Sequence, residues 1–187
     1  MEEDTFETEK ELVESIKKEA NELFSRGEFQ EAIERYTQGI LNCPEDERRL
    51  MSILYSNRAA CHLMLDNVDS ALVDSNDAID FDDTYTKAHL RRFTVLERKE
   101  KWHDALRDIN RAFELDENLR NDVNLLKRQK NAEKNSAELF DKEKEEMVGK
   151  LKDLGNMLLG KVGLSLDNFQ VEQNPQTGSY NIQFKQN

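Results

Sequence analysis

The chain has 187 residues, 35% charged and 37% hydrophobic, with seven Gly, two Pro and a formal net charge of −12. This balance predicts one helical domain, or one domain plus an appendage, and disfavours a sheet-rich fold. The acidity argues against general nucleic-acid or anionic-membrane binding, which needs a basic face, but leaves room for a small local basic site. Met1-Glu2-Glu3-Asp4 lacks the apolar core of a secretory signal, and no stretch approaches the roughly 20 apolar residues of a membrane span. Cys43 and Cys61 have no metal-like spacing and read as free thiols in a reducing compartment. Together these features predict a soluble cytoplasmic protein without membrane insertion.

In chain order, residues 1–8 are acidic and expected to fray. A helix is predicted from about Glu9 to Ser25, with Leu12, Ile16, Leu23 and Phe24 on its apolar face and Gly27 at its end. A second runs from Phe29 to Leu41, with Ala32, Ile33, Tyr36 and Ile40 inward and Pro44 beyond. The pattern then recurs. Ala71 and Ala105 are 34 residues apart, and Ala32 precedes Ala71 by 39, so the first connection (Asn42 to Ser52) carries about five extra residues. A 34-residue period is that of the tetratricopeptide helix–turn–helix, whose units must stack to bury their apolar faces.

The second unit has Leu54, Tyr55, Ala59 and Leu63 on its first helix, then Val68, Ala71, Leu72, Ala78 and Ile79 on its second. The third has Ala88, Phe93 and Leu96, then Trp102, Ala105, Leu106, Ile109 and Ala112. Phe93 falls where the repeat usually has Gly or Ala, so either the third pair is splayed or the following helix accommodates the ring. From Leu119 to about Glu146 one long, highly charged helix is predicted to cap the last repeat and project into water. Met147, Leu151, Leu154, Leu158 and Val162 then form the stripe of a separate short helix. Phe169–Val171 and Tyr180–Phe184 alternate with period two around Asn174–Gly178, a β-hairpin pattern expected to fold onto that helix or onto a partner.

The predicted fold is therefore all-α: three repeats (9–44, 50–83, 85–117) in a right-handed superhelix spanning 9–117. A capping helix at 118–146 and a helix–hairpin module at 147–187 follow. Stacked pairs make a groove lined by the first helix of each unit. Lys17 and Asn21 share a face of the first such helix, Lys87 and Arg91 share a face of the third, and Asn57 lies between them in the stack.

Lys17-Lys18-Glu19-Ala20-Asn21, Tyr55-Ser56-Asn57-Arg58 and Lys87-Ala88-His89-Leu90-Arg91 resemble the carboxylate-clamp tetratricopeptide domains of chaperone adaptors. In that family the positions matching Lys17, Asn21, Asn57, Lys87 and Arg91 hold a peptide's free C-terminus. They bind its main-chain carboxylate and the side chain of its last aspartate. The resemblance implies the Glu-Glu-Val-Asp tails of heat-shock protein 90 and heat-shock protein 70 as partners. Charge-assisted hydrogen bonds contribute roughly 1.5–3 kcal/mol each. After the cost of ordering a flexible tail, about −7 to −8 kcal/mol remains, on the order of micromolar binding.

Arg58, Arg92 and Phe24 are assigned to the groove edge, with salt bridges between helix pairs as the alternative for the two arginines. His89 is placed in packing, Trp102 in the core, and His62 and His103 outside any metal-ligand spacing. No Gly-rich phosphate loop, nucleophile turn or His–carboxylate constellation is present in the sequence, so no enzyme, cofactor or metal is predicted. The competing reading is a general scaffold that binds another signalling protein through the groove or the C-terminal module.

Overall fold

A computed structural model of the chain describes residues 2–161, 164–173 and 180–184. The chain divides into two compact units, residues 1–136 and 137–187. In the first, α1 (Glu2–Ser25) pairs with α2 (Phe29–Asn42), α3 (Arg48–Met64) with α4 (Val68–Phe81), and α5 (Thr86–Arg98) with α6 (Trp102–Leu115). Of the five extra residues in the 39-residue step, only one lies in the 43–47 connection; the other four lengthen α3, which has 17 residues against 13 in α5, so the expected loop is mostly helix. Helix α1 begins at Glu2, not near Glu9. Acidic residues at a helix N-terminus favour that extension.

Small residues set the crossings. Ala20, Ala32, Ala59, Ala71, Ala78, Ala88, Ala105 and Ala112 are buried. A Cβ added to Gly39 would lie 3.1 Å from Leu54 Cδ2, which fixes how closely α2 and α3 approach. The first core joins Val13, Ala20, Ala32, Tyr36, Leu50, Leu54 and Cys61. Of the predicted inward face of α1, Ile16, Leu23 and Phe24 are partly buried, but Leu12 is 51% exposed and its neighbour Val13 is fully buried in its place. Ala20 at the α1–α2 crossing draws Val13, one heptad earlier, onto the core side.

Phe93 is fully buried in the second core with Leu96, Ala105, Ile109, Phe113 and Ala132. The ring is accommodated by the following helix, which offers small Ala132 and lays the Arg128 guanidinium 4.6 Å from the Phe93 centroid. Trp102 packs against the same core.

A 3-10 turn, Glu117–Asn121, precedes α7 (Val123–Gly160). The predicted helices on either side of Glu146 are one helix, and it starts at Val123, not Leu119. Glu146 precedes Lys150 by four residues, an orientation that supports helix across the expected boundary and offsets part of the cost of Gly149. In the second unit, Leu166 of a short 3-10 turn (Leu166–Asn168) seats against Gly155, where a Cβ would lie 2.6 Å from Leu166 Cδ1. Asn156 Oδ1 accepts from the backbone N–H of Leu166 at 2.6 Å and from Ser165 Oγ at 3.2 Å. Strands β1 (Phe169–Gln173) and β2 (Tyr180–Phe184) pair antiparallel with Val171 opposite Ile182. Val162 and the turn Asn174–Gly178 lie outside the described residues. The stripe predicted to be covered is exposed: Met147, Leu151, Leu154 and Leu158 range from 49% to 63%.

Candidate functional site

The three first helices of the pairs, α1, α3 and α5, carry the five predicted clamp residues. Asn57 Nδ2 on α3 donates to Asn21 Oδ1 on α1 at 3.2 Å, and Tyr36 OH on α2 donates to the same oxygen at 2.6 Å. Both contacts fall on Oδ1, so the Asn21 amide nitrogen is left to donate elsewhere. Tyr36 is 1% exposed, and burial, the largest cause, raises its phenol pKa, which keeps it a donor at neutral pH. This positioning role is absent from the sequence reading, where Tyr36 served only as volume in the core. The available signal was a hydroxyl on an otherwise buried aromatic, which needs a partner.

Arg91 stands on α5 beside Tyr85, Cys61 and Tyr36. Burial lowers its pKa, and those three groups oppose the shift. A guanidinium remains charged at neutral pH all the same. Its Nε is buried and has no hydrogen-bond partner among the described residues. A buried, incompletely paired cation is costly, and an incoming anion would relieve that cost. The Cys61 thiol in the same neighbourhood is pushed up to about 12, chiefly by burial, so it is not a nucleophile. Burial likewise pushes Cys43 up to about 11.

Lys87, exposed and one turn before Arg91, lines a concavity of about 230 Å³ with Leu90, Arg91, Thr94, Leu125 and Arg128. Lys17 lies one turn before Asn21 and pairs with Glu14 of its own helix at 2.5 Å. The hydrogen bonds thus join Asn21 to Asn57, the concavity joins Lys87 to Arg91, and Lys17 is held to Asn21 by helix spacing alone.

The three residues predicted at the groove edge are engaged within the fold. Arg58 grips Asp74 through Nη2 and Nε at 2.6 and 2.9 Å and donates to Thr37 Oγ1. Arg92 grips Asp108 twice at 2.7 Å and donates to Asn76 Oδ1. Phe24 packs edge-on against Phe29, centroids 5.3 Å apart, beside the first core. His89 is buried, with Nε2 donating to the Asp83 carbonyl at 2.9 Å and Nδ1 lying 3.4 Å from Asp108. His62 Nε2 is 3.6 Å from Asp74, and His103 Nδ1 is 2.7 Å from Ser136 Oγ. Among the described residues no cluster of three metal-ligating side chains occurs. No described helix is long and apolar enough to cross a membrane.

No protein-family model matches the chain. Among curated proteins it is 38% identical over 104 residues to the DnaJ homolog subfamily C member 7 homolog of Schizosaccharomyces pombe, covering 56% of this chain and 22% of that protein. It is 35% identical over 97 residues to protein unc-45 homolog B of Danio rerio, covering 52% of this chain and 10% of that one. The chain therefore spans a quarter or less of the length of these relatives. Among solved structures, the first TPR of Spaghetti (RPAP3) bound to the HSP90 peptide SRMEEVD aligns with TM-score 0.59 and 27% identity, covering 67% of this chain and 95% of that one. The second TPR domain of human RPAP3, in complex with the HSP70 peptide SGPTIEEVD, aligns with TM-score 0.58 and 26% identity over 67% and 98%. The TPR2B domain of yeast Sti1, complexed with an Hsp70 peptide, aligns with TM-score 0.57 and 26% identity over 65% and 96%. The paired helices have a tetratricopeptide-repeat-like fold, similar to the TPR domains of RPAP3 and Sti1.

Proposed function

We propose that the repeat domain is a non-enzymatic cytoplasmic adaptor. It binds the free C-terminal Glu-Glu-Val-Asp tail of heat-shock protein 90, heat-shock protein 70 or both, through Lys17, Asn21, Asn57, Lys87 and Arg91. The observation that carries this reading is Arg91, a half-buried cation whose Nε lacks a partner among the described residues, one turn from exposed Lys87. Beside it, the Asn21–Asn57 pair supplies amide donors fixed in orientation by Tyr36. A terminal aspartate brings two carboxylates within a few ångström, which an internal peptide segment does not. The likeness to domains solved with such peptides supports the same assignment. The tail segments Glu145–Asn156 and Thr177–Tyr180 resemble tetratricopeptide repeat protein 1, and that is the closer relation we propose.

The test is calorimetric titration with an eight-residue peptide ending Glu-Glu-Val-Asp and with its C-terminal amide. Binding on the order of micromolar, lost on amidation, is expected. Lys87→Ala and Arg91→Ala should each weaken it at least about tenfold, the loss of one charge-assisted hydrogen bond. Helicity by circular dichroism should be unchanged. Failure of both peptides to bind would leave the scaffold reading, in which the segment 147–187, its strands joined as a hairpin, is the binding module.

A further inference from the structure

Beyond Ser136, α7 carries an apolar stripe that the structure leaves open. Met147, Leu151, Leu154 and Leu158 follow one another at steps of four, three and four, and Phe140 precedes Met147 by seven. Val148 and Met157 widen the stripe. All seven side chains are between 49% and 63% exposed. They amount to roughly 700 Å² of apolar surface, against about 800 Å² per partner in a stable interface. A contiguous apolar patch above a few hundred Å² is rare on a surface that meets only water. The four-three spacing is that of a seam along which two helices pair.

The charges choose the occupant. From Glu138 to Glu146 the helix carries five acids against two lysines, and from Lys150 to Lys161 it carries three lysines against one acid. A parallel copy would set acidic half against acidic half, whereas an antiparallel copy sets each half against its complement. The seam gives the same answer. With a two-fold axis at Gly149, Met147 faces the second copy's Leu151, Phe140 faces its Leu158, and Lys144 lays its aliphatic stem against its Leu154.

We infer that residues 138–161 form a self-complementary antiparallel helix interface and that the chain is a homodimer through α7. This does not depend on the peptide-binding reading.

Sedimentation equilibrium of the full chain tests it. At micromolar concentration the mass should be twice 21.9 kDa. Leu151→Glu combined with Leu154→Glu should return it to the monomer with helical circular dichroism retained, since both positions are exposed. Reversing the acidic half with Glu143→Lys and Glu146→Lys should weaken the dimer about tenfold, and adding Lys150→Glu and Lys152→Glu in the same chain should restore it. A chain monomeric at every concentration, or a dimer that survives the leucine substitutions, would overturn the interface. Charge substitutions without effect, or without mutual rescue, would overturn the antiparallel register.

Discussion

Arg58–Asp74 and Arg92–Asp108 are the same brace built twice. Each arginine lies on the first helix of its pair, each aspartate sits 16 residues later on the second, and the two braces are 34 residues apart. The first repeat keeps the spacing with the charges exchanged, Glu19 on α1 facing Arg35 on α2 at 3.6 Å. Environment separates their worth. Asp108 is 1% exposed and bidentate, so removing its carboxylate strands Arg92 in a largely buried site, whereas Glu19 and Arg35 are roughly half exposed. Asp108→Ala should cost about 3 kcal/mol in urea unfolding, and Glu19→Ala less than about 1 kcal/mol. Burial by itself would raise the Asp108 pKa, but hydrogen bonds from Arg92 and His89 outweigh it and hold the carboxyl below its usual value. A carboxyl lowered on folding stabilises fully above its unfolded pKa of about 3.9 and loses that contribution as pH falls through the native value. The gap between the wild type and Asp108→Ala should therefore stay constant near neutrality and close only below about pH 4. These braces escape a sequence reading because a charged residue on a helix is ordinarily a solvated one. Only the matched 16-residue spacing in successive repeats marks them.

Each pair turns through one left-handed residue at an equivalent place: Gly27, Asp66 and Glu100, with φ of 81°, 60° and 54°. In each, the following N–H reaches back to close the helix end, Glu28 to the Leu23 carbonyl, Asn67 to His62 and Lys101 to Leu96, at 2.8–3.0 Å. Only the first has the residue that this conformation favours. A Cβ at Gly27 would meet nothing within 4 Å, so its value is conformational and not steric. Left-handed backbone costs an ordinary residue roughly 1–2 kcal/mol, and glycine returns about 0.5–1 kcal/mol of that as unfolded-state entropy. Glu100→Gly should accordingly raise stability by about 0.5–1 kcal/mol, and Gly27→Ala should lower it by a similar amount, read from the urea midpoint at unchanged m. The six repeat helices were legible because the alanine spacing and Gly27 mark crossings and turns directly. Helix α7 was not. The change from sparse apolar positions to a regular apolar stripe suggested a boundary at Glu146–Met147, and the i,i+4 support that carries the helix across is individually weak.

At the scale of the molecule, the five residues proposed as the clamp come from three different repeats, so in that reading folding and binding share one set of contacts. The five proposed residues were chosen from spacing and resemblance. Their setting was not legible, because Tyr36 reaches Asn21 from another helix and Arg91 is half-buried by tertiary packing. A ligand that bridges all three repeats stabilises them together, since opening any one releases it. With the Glu-Glu-Val-Asp peptide at a hundred times its dissociation constant, the stabilisation is about 2.7 kcal/mol, which slows exchange through binding-incompetent states roughly hundredfold. Amides in the cores of α1, α3 and α5 should gain that protection in concert, while those of β1 and β2 should not change. Binding through the C-terminal module predicts the reverse, protection at β1 and β2 with the repeats untouched. Protection confined to α5 would mean that Lys87 and Arg91 hold the anion without Lys17, Asn21 and Asn57. The clamp would then be a two-residue site rather than a device that needs three stacked repeats.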